Sequence, residues 1–255
     1  MYALITGASS GCGYEYARVM ASRGYDLLIV SNEEAIHDKA ALLRQDYTVN
    51  VISLVQNLGT QTAAKELYDY CQTQALEVEV LINNAGVYHD RDFLDDSEGF
   101  NELIFNLHMH TPAMLMYYFA QDMAKRGKGY ILNMCSITAD IAVQRLGSYS
   151  ATKAFLRNFT RSLHVELKGK GVYVTDVTPG AINTGLYNIR PWLTKMGLVL
   201  GYIVEPQRLA RRGVRAMFRG RSKVSIPGFW NTILLSMVAL VPTWLLRLIR
   251  RMGLF

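Results

Sequence analysis

The sequence predicts one doubly wound α/β domain, and three observations lead to that prediction. Half of the residues are hydrophobic and 19% are charged, which excludes a disordered or fibrous chain. Short β-rich runs alternate with segments of helical length, a pattern typical of parallel strands joined by right-handed crossovers. Several of these runs are almost continuously apolar, as in strands that helices cover on both faces. A chain of 255 residues lies within the size range of one such domain.

The predicted elements follow one another along residues 1–228. The strand-like runs are 2–6, 25–31, 49–55, 78–83, 130–135, 172–177 and 223–226. The helix-like segments are 12–23, 33–46, 60–74, 97–126 and 148–167. We therefore expect about seven parallel strands with helices on both faces of the sheet. Ligands of such sheets bind at the carboxyl ends of the strands, so residues that directly follow a strand are the candidate site residues.

A glycine-rich turn joins the first predicted strand to the first predicted helix. Its glycines have the spacing G-x-x-x-G-x-G. Glycine allows the backbone to turn sharply and to approach a pyrophosphate, and the N–H groups at a helix start favour phosphate. A glycine triplet alone also occurs in ordinary tight turns, but its position between a strand and a helix favours a dinucleotide site. The residues assigned to this contact are Gly7, Ser9, Ser10, Gly11, Cys12 and Gly13.

A second group of polar residues predicts proton-transfer chemistry. Tyr149 and Lys153 are four residues apart on a predicted helix and therefore share one face. A nearby ammonium lowers the pKa of a tyrosine, which suits a group that exchanges a proton near pH 7. Ser136 follows an apolar strand, where its hydroxyl can bond a substrate oxygen. His108 and His110 diverge on a helix and are not expected to bind a metal together; we predict no metal site.

The motifs, taken together, resemble those of the short-chain dehydrogenase/reductase family. The glycine turn matches the cofactor motif of that family, and residues 83–86 (Asn-Asn-Ala-Gly) match a second motif. Tyr149 and Lys153 match the Tyr-x-x-x-Lys motif, and Ser136 precedes the tyrosine by thirteen residues, as in the family. Pro179-Gly180 with Thr184 matches the segment after the sixth strand. The resemblance implies a Rossmann fold and hydride transfer between a nicotinamide and a carbonyl or carbinol carbon.

The resemblance also implies a role for each matching residue. Tyr149 is the acid/base, Ser136 holds the substrate oxygen, and Lys153 holds the nicotinamide ribose as well as tuning the tyrosine. Asn106 is the fourth catalytic candidate, because the family places an asparagine there that positions a water linked to the lysine. The further residues assigned to the cofactor are Ser31, Asn32, Asn57, Leu58, Asn84, Ala85, Gly86, Pro179, Gly180, Ile182 and Thr184.

The end of the second strand bears on which nicotinamide binds. An acid there bonds the ribose 2′-OH of NAD, and a basic residue nearby accommodates the 2′-phosphate of NADP. Ser31 and Asn32 stand at these places, so neither discriminating residue is present, while Glu33 follows directly. We expect NADP(H) to be preferred, with NAD(H) as the alternative. Asn57 replaces the aspartate that the family usually carries near the adenine.

The C-terminal part of the chain differs in composition from the rest. Residues 205–255 carry ten Lys/Arg and one acid, so the net charge of +6 arises there. Residues 229–246 contain no charge, and three arginines follow before residue 252. We expect this tail, residues 229–255, to be a substrate lid or a dimer contact; an interfacial membrane anchor and a short membrane span are the alternatives.

These features define the expected function and setting. We expect an oxidoreductase acting on a small-molecule carbonyl or alcohol that is hydrophobic, in a homo-oligomer, without nucleic acid, since no motif for nucleic-acid recognition occurs. Three scattered cysteines and the lack of an apparent secretory signal indicate a cytoplasmic protein, with peripheral contact to a membrane surface through the tail as an alternative. The rival functions are a non-catalytic dinucleotide sensor and a membrane-surface interaction protein.

Overall fold

The computed structural model describes residues 1–140, 145–183 and 203–226. A parallel sheet of seven strands forms the centre of the fold. Its strands are β1 (Tyr2–Thr6), β2 (Asp26–Ser31), β3 (Val51–Val55), β4 (Val78–Asn83), β5 (Gly129–Met134), β6 (Val172–Pro179) and β9 (Lys223–Ile226). They lie in the order β3-β2-β1-β4-β5-β6-β9. A separate parallel pair consists of β7 (Ala181–Ile182) and β8 (Ile203–Val204).

Seven α-helices flank the sheet within the described ranges. They are α1 (Gly11–Ala21), α2 (Ile36–Asp46), α3 (Ala63–Thr73), α4 (Glu98–Phe105), α5 (Thr111–Arg126), α6 (Gly147–Lys168) and α7 (Pro206–Phe218). No helix among these is long and apolar enough to cross a membrane. The predicted fold class, a doubly wound parallel sheet, is confirmed. The predicted tail, residues 229–255, lies outside the described residues, as does Thr184.

Two apolar layers cover the sheet, one on each face. Successive residues of β1 point to opposite layers: Ile5 packs with Tyr16 and Met20 of α1, and Leu4 packs with Leu67 of α3. All five side chains are buried, which explains why the strand reads as a continuous apolar run. The burial of each large apolar side chain contributes roughly 1.5–3 kcal/mol to folding.

The helical segment predicted over residues 97–126 is confirmed as an unbroken run of helical residues from Glu98 to Arg126, but it is not regular α-helix throughout. A π-helical turn (Asn106–His110) separates α4 from α5. The N–H of Thr111 donates to the carbonyl of Asn106, five residues earlier. Pro112 follows in the first turn of α5 and has no N–H to donate to the preceding turn. The helix is wider at this turn, because the hydrogen bond spans five residues rather than four. Single π turns of this kind are frequent at functional sites.

The strand order reverses beside β1, which pairs with β2 on one side and with β4 on the other. At this switch point the loops that leave the two strands diverge and open a crevice at their carboxyl ends. The crevice is where the polar residues that follow β1, β2, β4 and β5 come together.

Candidate active site

A cleft of about 580 Å³ lies at the carboxyl ends of the strands. It brings together residues from all the predicted motifs, from the glycine turn to the segment after β6. The predicted residues that line it are Gly7, Ser9, Ser10, Gly11, Cys12, Ser31, Asn32, Asn57, Leu58, Asn84, Ala85, Gly86, Ser136, Tyr149, Lys153, Pro179 and Ile182. The structure thus places the glycine turn and the tyrosine–lysine pair on one cavity.

Three predicted residues in the described ranges are not among those lining the cleft: Gly13, Gly180 and Asn106. Gly13 acts through packing, because a Cβ at this position would overlap the carbonyl oxygen of Gly7. Gly180 follows β6, and its N–H donates to the carbonyl of Ile226 at 2.6 Å. The Thr184 assignment concerns a residue that the structure does not describe.

The glycine turn is held in place by the segment after β4. The side-chain amide of Asn84 donates to the carbonyls of Thr6 and Gly7, each at 3.0 Å. In return, the Thr6 hydroxyl accepts from the backbone N–H groups of Asn84 and Ala85, at 3.0 and 3.1 Å. Gly7 has a φ of +67°, and a Cβ there would lie 2.7 Å from the Cα of Ala85. Two of the predicted motifs therefore form a single rigid unit.

The start of α1 offers an environment suited to an anion. The first turn of α1 contains no acidic residue, and its N-terminus carries the positive end of the helix dipole. Cys12 lies in this turn, and burial raises the pKa of its thiol to about 12, with a smaller contribution from Glu15. The thiol therefore stays neutral near pH 7, and no thiolate competes with a phosphate for this position. Its role is packing against the core.

The edge of the cleft beside β2 carries hydroxyl groups. Ser31 is buried, and its hydroxyl donates to the Oγ of Ser9 at 3.0 Å and accepts from the N–H of Glu33 at 3.3 Å. Asn32 and Glu33 are exposed at the rim. Further along the edge, the side-chain oxygen of Asn57 accepts from the N–H of Gly59 at 2.9 Å. This hydrogen bond closes a local turn and uses one lone pair of the Asn57 side-chain oxygen.

Tyr149 and Lys153 lie in the first two turns of α6, and both are buried. The ammonium nitrogen of Lys153 is 5.7 Å from the centroid of the tyrosine ring and donates to the carbonyl of Met134 at 2.9 Å. Burial lowers the pKa of Lys153 from 10.5 to about 8. The lysine is thus mostly protonated at pH 7. The ring of Tyr88 packs edge-on against Tyr149, with centroids 5.4 Å apart.

Ser136 lies two residues after the end of β5 at Met134, and it is also buried. Its hydroxyl oxygen accepts from the N–H of Thr138 at 3.2 Å and from the Thr138 hydroxyl at 2.9 Å. Because both bonds use the oxygen as an acceptor, the Ser136 proton can be donated to a substrate oxygen in the cleft.

Asn106 begins the π-helical turn and is half-buried. Its carbonyl accepts from Thr111, whereas the ammonium of Lys153 bonds to Met134. The role of Asn106 in positioning a water therefore stays a prediction.

Several residues that line the cleft were not predicted as site residues. These are Glu33, Gln56, Val87, Leu103, Leu107, His108, Met134 and Cys135. Of these, Glu33 was considered only as a group that favours NAD(H), and His108 only as one of two histidines that diverge on their helix. His108 is buried against the cleft, whereas His110 is exposed and bonds to the carbonyl of Gln61 at 3.0 Å. In the described ranges no three His, Cys, Asp or Glu side chains cluster as metal ligands.

The doubly wound sheet carries a glycine turn at its switch point, and a buried Tyr-x-x-x-Lys pair lines the same cleft. This arrangement defines a dinucleotide-binding protein of the dehydrogenase class. A family model described as short chain dehydrogenase matches residues 1–192. The chain belongs to this family, which confirms the resemblance found in the sequence.

Similar proteins include enzymes named as reductases and dehydrogenases. The very-long-chain 3-oxoacyl-CoA reductase of Rattus norvegicus is 30% identical over 202 residues, which cover 76% of this chain and 64% of that protein. The match thus spans less than two thirds of that relative's length. Among solved structures, a short-chain dehydrogenase from Sphingobium yanoikuyae in complex with NADPH has a TM-score of 0.80 and 26% identity, with 92% of this chain and 91% of the other covered. A bulky-bulky ketone specific alcohol dehydrogenase from Comamonas testosteroni has a TM-score of 0.77 and 27% identity, with the same coverage.

Proposed function

We propose that this protein is an oxidoreductase that transfers a hydride between NADP(H) and a carbonyl or secondary alcohol of a hydrophobic substrate. The observation that carries the proposal is the shared cleft: Tyr149 and Lys153 line the same cavity as the glycine turn and Ser136. A dinucleotide held by the turn and a carbonyl held by the serine would meet in this cavity.

The residues present fit a nicotinamide dinucleotide. The glycine turn leaves no room for side chains at positions 7 and 13, and the start of α1 favours phosphate. Gly86 and Lys153 line the part of the cleft nearest Tyr149, where the nicotinamide and its ribose would be held. When bound, the nicotinamide supplies or accepts the hydride. The NADPH complex of the Sphingobium yanoikuyae relative supports this choice of cofactor class.

The protein's own contribution is orientation and proton transfer. Ser136 donates a hydrogen bond to the carbonyl oxygen, which gains negative charge during reduction. Tyr149 gives its phenolic proton to that oxygen, or takes the proton from an alcohol in the reverse direction. The ammonium of Lys153, 5.7 Å from the ring centroid, favours the phenolate that forms.

The preference for NADP(H) rests on the edge beside β2. Ser31 and Asn32 line the cleft there, and neither is a carboxylate that would repel a 2′-phosphate. The amide of Asn32 can donate to phosphate oxygens, and the hydroxyl of Ser31 would do so in place of its bond to Ser9. Glu33 at the rim is the group that would favour NAD(H) instead.

The substrate class rests chiefly on the relatives. Leu103 and Leu107 give the cleft apolar lining, and Leu103 lies next to Gly59 in the segment after β3. The rat relative is named for very-long-chain 3-oxoacyl-CoA, and the Comamonas testosteroni relative is named for ketones with two bulky groups. We therefore propose an apolar ketone, with a 3-oxoacyl thioester as the first candidate. The homo-oligomer, the cytoplasmic location and the role of the tail also stay proposals.

The test is a turnover panel. Purified protein is assayed with NADPH and NADH on a long-chain 3-oxoacyl thioester, a bulky aryl ketone and diacetyl, and with NADP⁺ and NAD⁺ on the matching alcohols. Nicotinamide absorbance reports turnover, and a Tyr149→Phe variant is the control for chemistry that needs the hydroxyl. We expect turnover of an apolar ketone that the variant lacks. Cofactor binding without turnover of any compound in the panel would instead favour the dinucleotide sensor. Liposome co-sedimentation with and without residues 229–255 would test the hypothesis of a membrane-surface interaction protein.

A further inference from the structure

His108 connects three parts of the cleft that the chain keeps far apart in sequence. The imidazole is buried in the π-helical turn. Its Nε2 accepts from the backbone N–H of Val87 at 2.9 Å, and its Nδ1 is 3.1 Å from the hydroxyl oxygen of Thr152. The ring also packs edge-on against Tyr149, with centroids 5.6 Å apart and planes at 77°. The contacts therefore reach the loop after β4, helix α6 and the tyrosine itself.

The directions of these hydrogen bonds determine the tautomer of the imidazole. A backbone N–H only donates, so Nε2 must be the unprotonated acceptor for Val87. The Thr152 hydroxyl donates to the carbonyl of Tyr149 at 2.8 Å, so it accepts from His108. The proton therefore sits on Nδ1, and the imidazole is neutral. Burial, with a smaller contribution from the Lys153 ammonium, lowers the pKa of His108, in agreement with this assignment.

The backbone of Gly86 lies close against the imidazole of His108. A Cβ at this position would lie 2.9 Å from Nε2 of His108 and 3.7 Å from the ammonium nitrogen of Lys153. The first distance is too short for a Cβ beside the imidazole, whereas the second is an ordinary van der Waals contact. The loop that lines the nicotinamide side of the cleft thus lies directly against His108, and Val87 holds it there.

We propose that His108 is a positioning residue, which in its neutral Nδ1–H form joins the cofactor-side loop at Val87 to the backbone of Tyr149 through Thr152. The role rests on the proposed function, since it places the nicotinamide and the proton donor relative to each other. The Val87 bond serves the cofactor, and the Thr152 bond serves the tyrosine. The two bonds are therefore separable by substitution.

The tautomer is tested without turnover. Protein labelled with ¹⁵N-histidine is observed by long-range ¹H–¹⁵N NMR at pH 7, and the spectrum of a His108→Gln variant identifies the His108 signals among the five histidines. We expect the Nδ1–H pattern for His108; His110, which is exposed, serves as the internal comparison. An Nε2–H pattern or an imidazolium signal would overturn the proposal. This result does not depend on any substrate.

The two bonds are then separated kinetically. Thr152→Val removes the bond to Nδ1 and keeps Val87, and we expect kcat to fall about tenfold while the cofactor KM changes less than threefold. Thr152→Ser restores the hydroxyl and should recover most of kcat. In His108→Gln the amide oxygen can accept from Val87, while the amide NH2 is attached to the same terminal carbon and does not stand at the position of Nδ1. The variant should therefore resemble Thr152→Val, and combining the two should add little.

His108→Leu removes both bonds and should also weaken cofactor binding, measured as a smaller thermal shift with NADPH than His108→Gln gives. Circular dichroism and melting temperatures establish that the variants compared are folded. Wild-type kcat in Thr152→Val, or losses that add fully in the double variant, would refute the positioning role. If the wild-type protein turns over no substrate, the proposed function fails, while the tautomer and the thermal shifts still decide on His108.

Discussion

Replacing Lys153 with methionine is expected to stabilise the fold while it removes turnover. Burial lowers the pKa of this lysine from 10.5 to about 8, so the folded protein holds the ammonium less favourably than the unfolded chain does. At 1.36 kcal/mol per pKa unit, the difference disfavours folding by about 3 kcal/mol below pH 8. The methionine also loses the hydrogen bond to the carbonyl of Met134, which contributes about 1 kcal/mol. The expected net gain in the free energy of unfolding at pH 7 is about 2 kcal/mol.

The gain should depend on pH in a defined window. Between pH 8 and about 10.5 the unfolded lysine is still protonated while the buried lysine is neutral, so the unfolded state binds more protons. The wild-type protein therefore gains stability as the pH rises through this window. The advantage of Lys153→Met should shrink over the same range and become a deficit of about 1 kcal/mol above it, where only the lost hydrogen bond to Met134 remains.

Urea unfolding followed by circular dichroism, at several pH values from 7 to 10 and without nicotinamide, measures the difference between variant and wild type. Other groups that titrate in this range cancel in the difference. Lys125→Met is the matched control, because the side chain of Lys125 is 77% exposed. A variant that is less stable than wild type at pH 7, or a difference that stays constant from pH 7 to 10, would refute the reasoning. Turnover and cofactor affinity should both fall in Lys153→Met.

Four further outcomes are expected. Tyr149→Phe should abolish turnover with cofactor affinity nearly unchanged, since only the hydroxyl is lost; activity within tenfold of wild type would remove the tyrosine from its role. Gly13→Ala should abolish the thermal shift with nicotinamides because its Cβ overlaps the turn, whereas Gly99→Ala, with nothing within 4 Å, should retain the shift. NADPH should give a larger thermal shift than NADH at equal concentration; the reverse order would make Glu33 the first residue to substitute. Truncation after Gly228 should leave the sheet intact. If the tail is a lid or dimer contact, the truncated protein should lose stability or change its oligomeric state; if the tail is a membrane anchor, the truncated protein should be more soluble. No change in stability, oligomeric state or solubility would contradict each of these roles.

The sheet could be predicted because its strands are apolar on both faces, a pattern with few other interpretations. The element boundaries were less predictable. Tyr25 and Val49 were assigned to strands but precede them, since both pack against the core from the connecting segments. The predicted helix from residue 33 begins at Ile36, because the N–H of Ile36 donates to the carbonyl of Glu33 in a tighter turn. Local composition does not distinguish a strand residue from a loop residue that packs against the core, or the first turn of a helix from a tighter turn before it.

The site was predictable where a motif is local and less so where it depends on the fold. The glycine turn and the Tyr-x-x-x-Lys pair each lie within eight residues. The π-helical turn was not predicted, because Pro112 lies in the first turn of α5, where proline is common and does not by itself indicate a π turn. The contacts of His108 join residues 21 and 44 positions away, and no spacing in the sequence indicates such a pair.

The hydrogen bonds between Asn84 and the glycine turn have a consequence for how the protein is made. They join residues 77 and 78 positions apart, and the cleft also needs Tyr149 and Pro179 from later in the chain. Contacts of such long range form late in folding, because loop closure must precede them. A chain emerging from the ribosome therefore completes the first three strands and their helices well before it has a pocket to offer. A nicotinamide dinucleotide that binds this cleft would therefore stabilise only the fully assembled fold and not its folding intermediates.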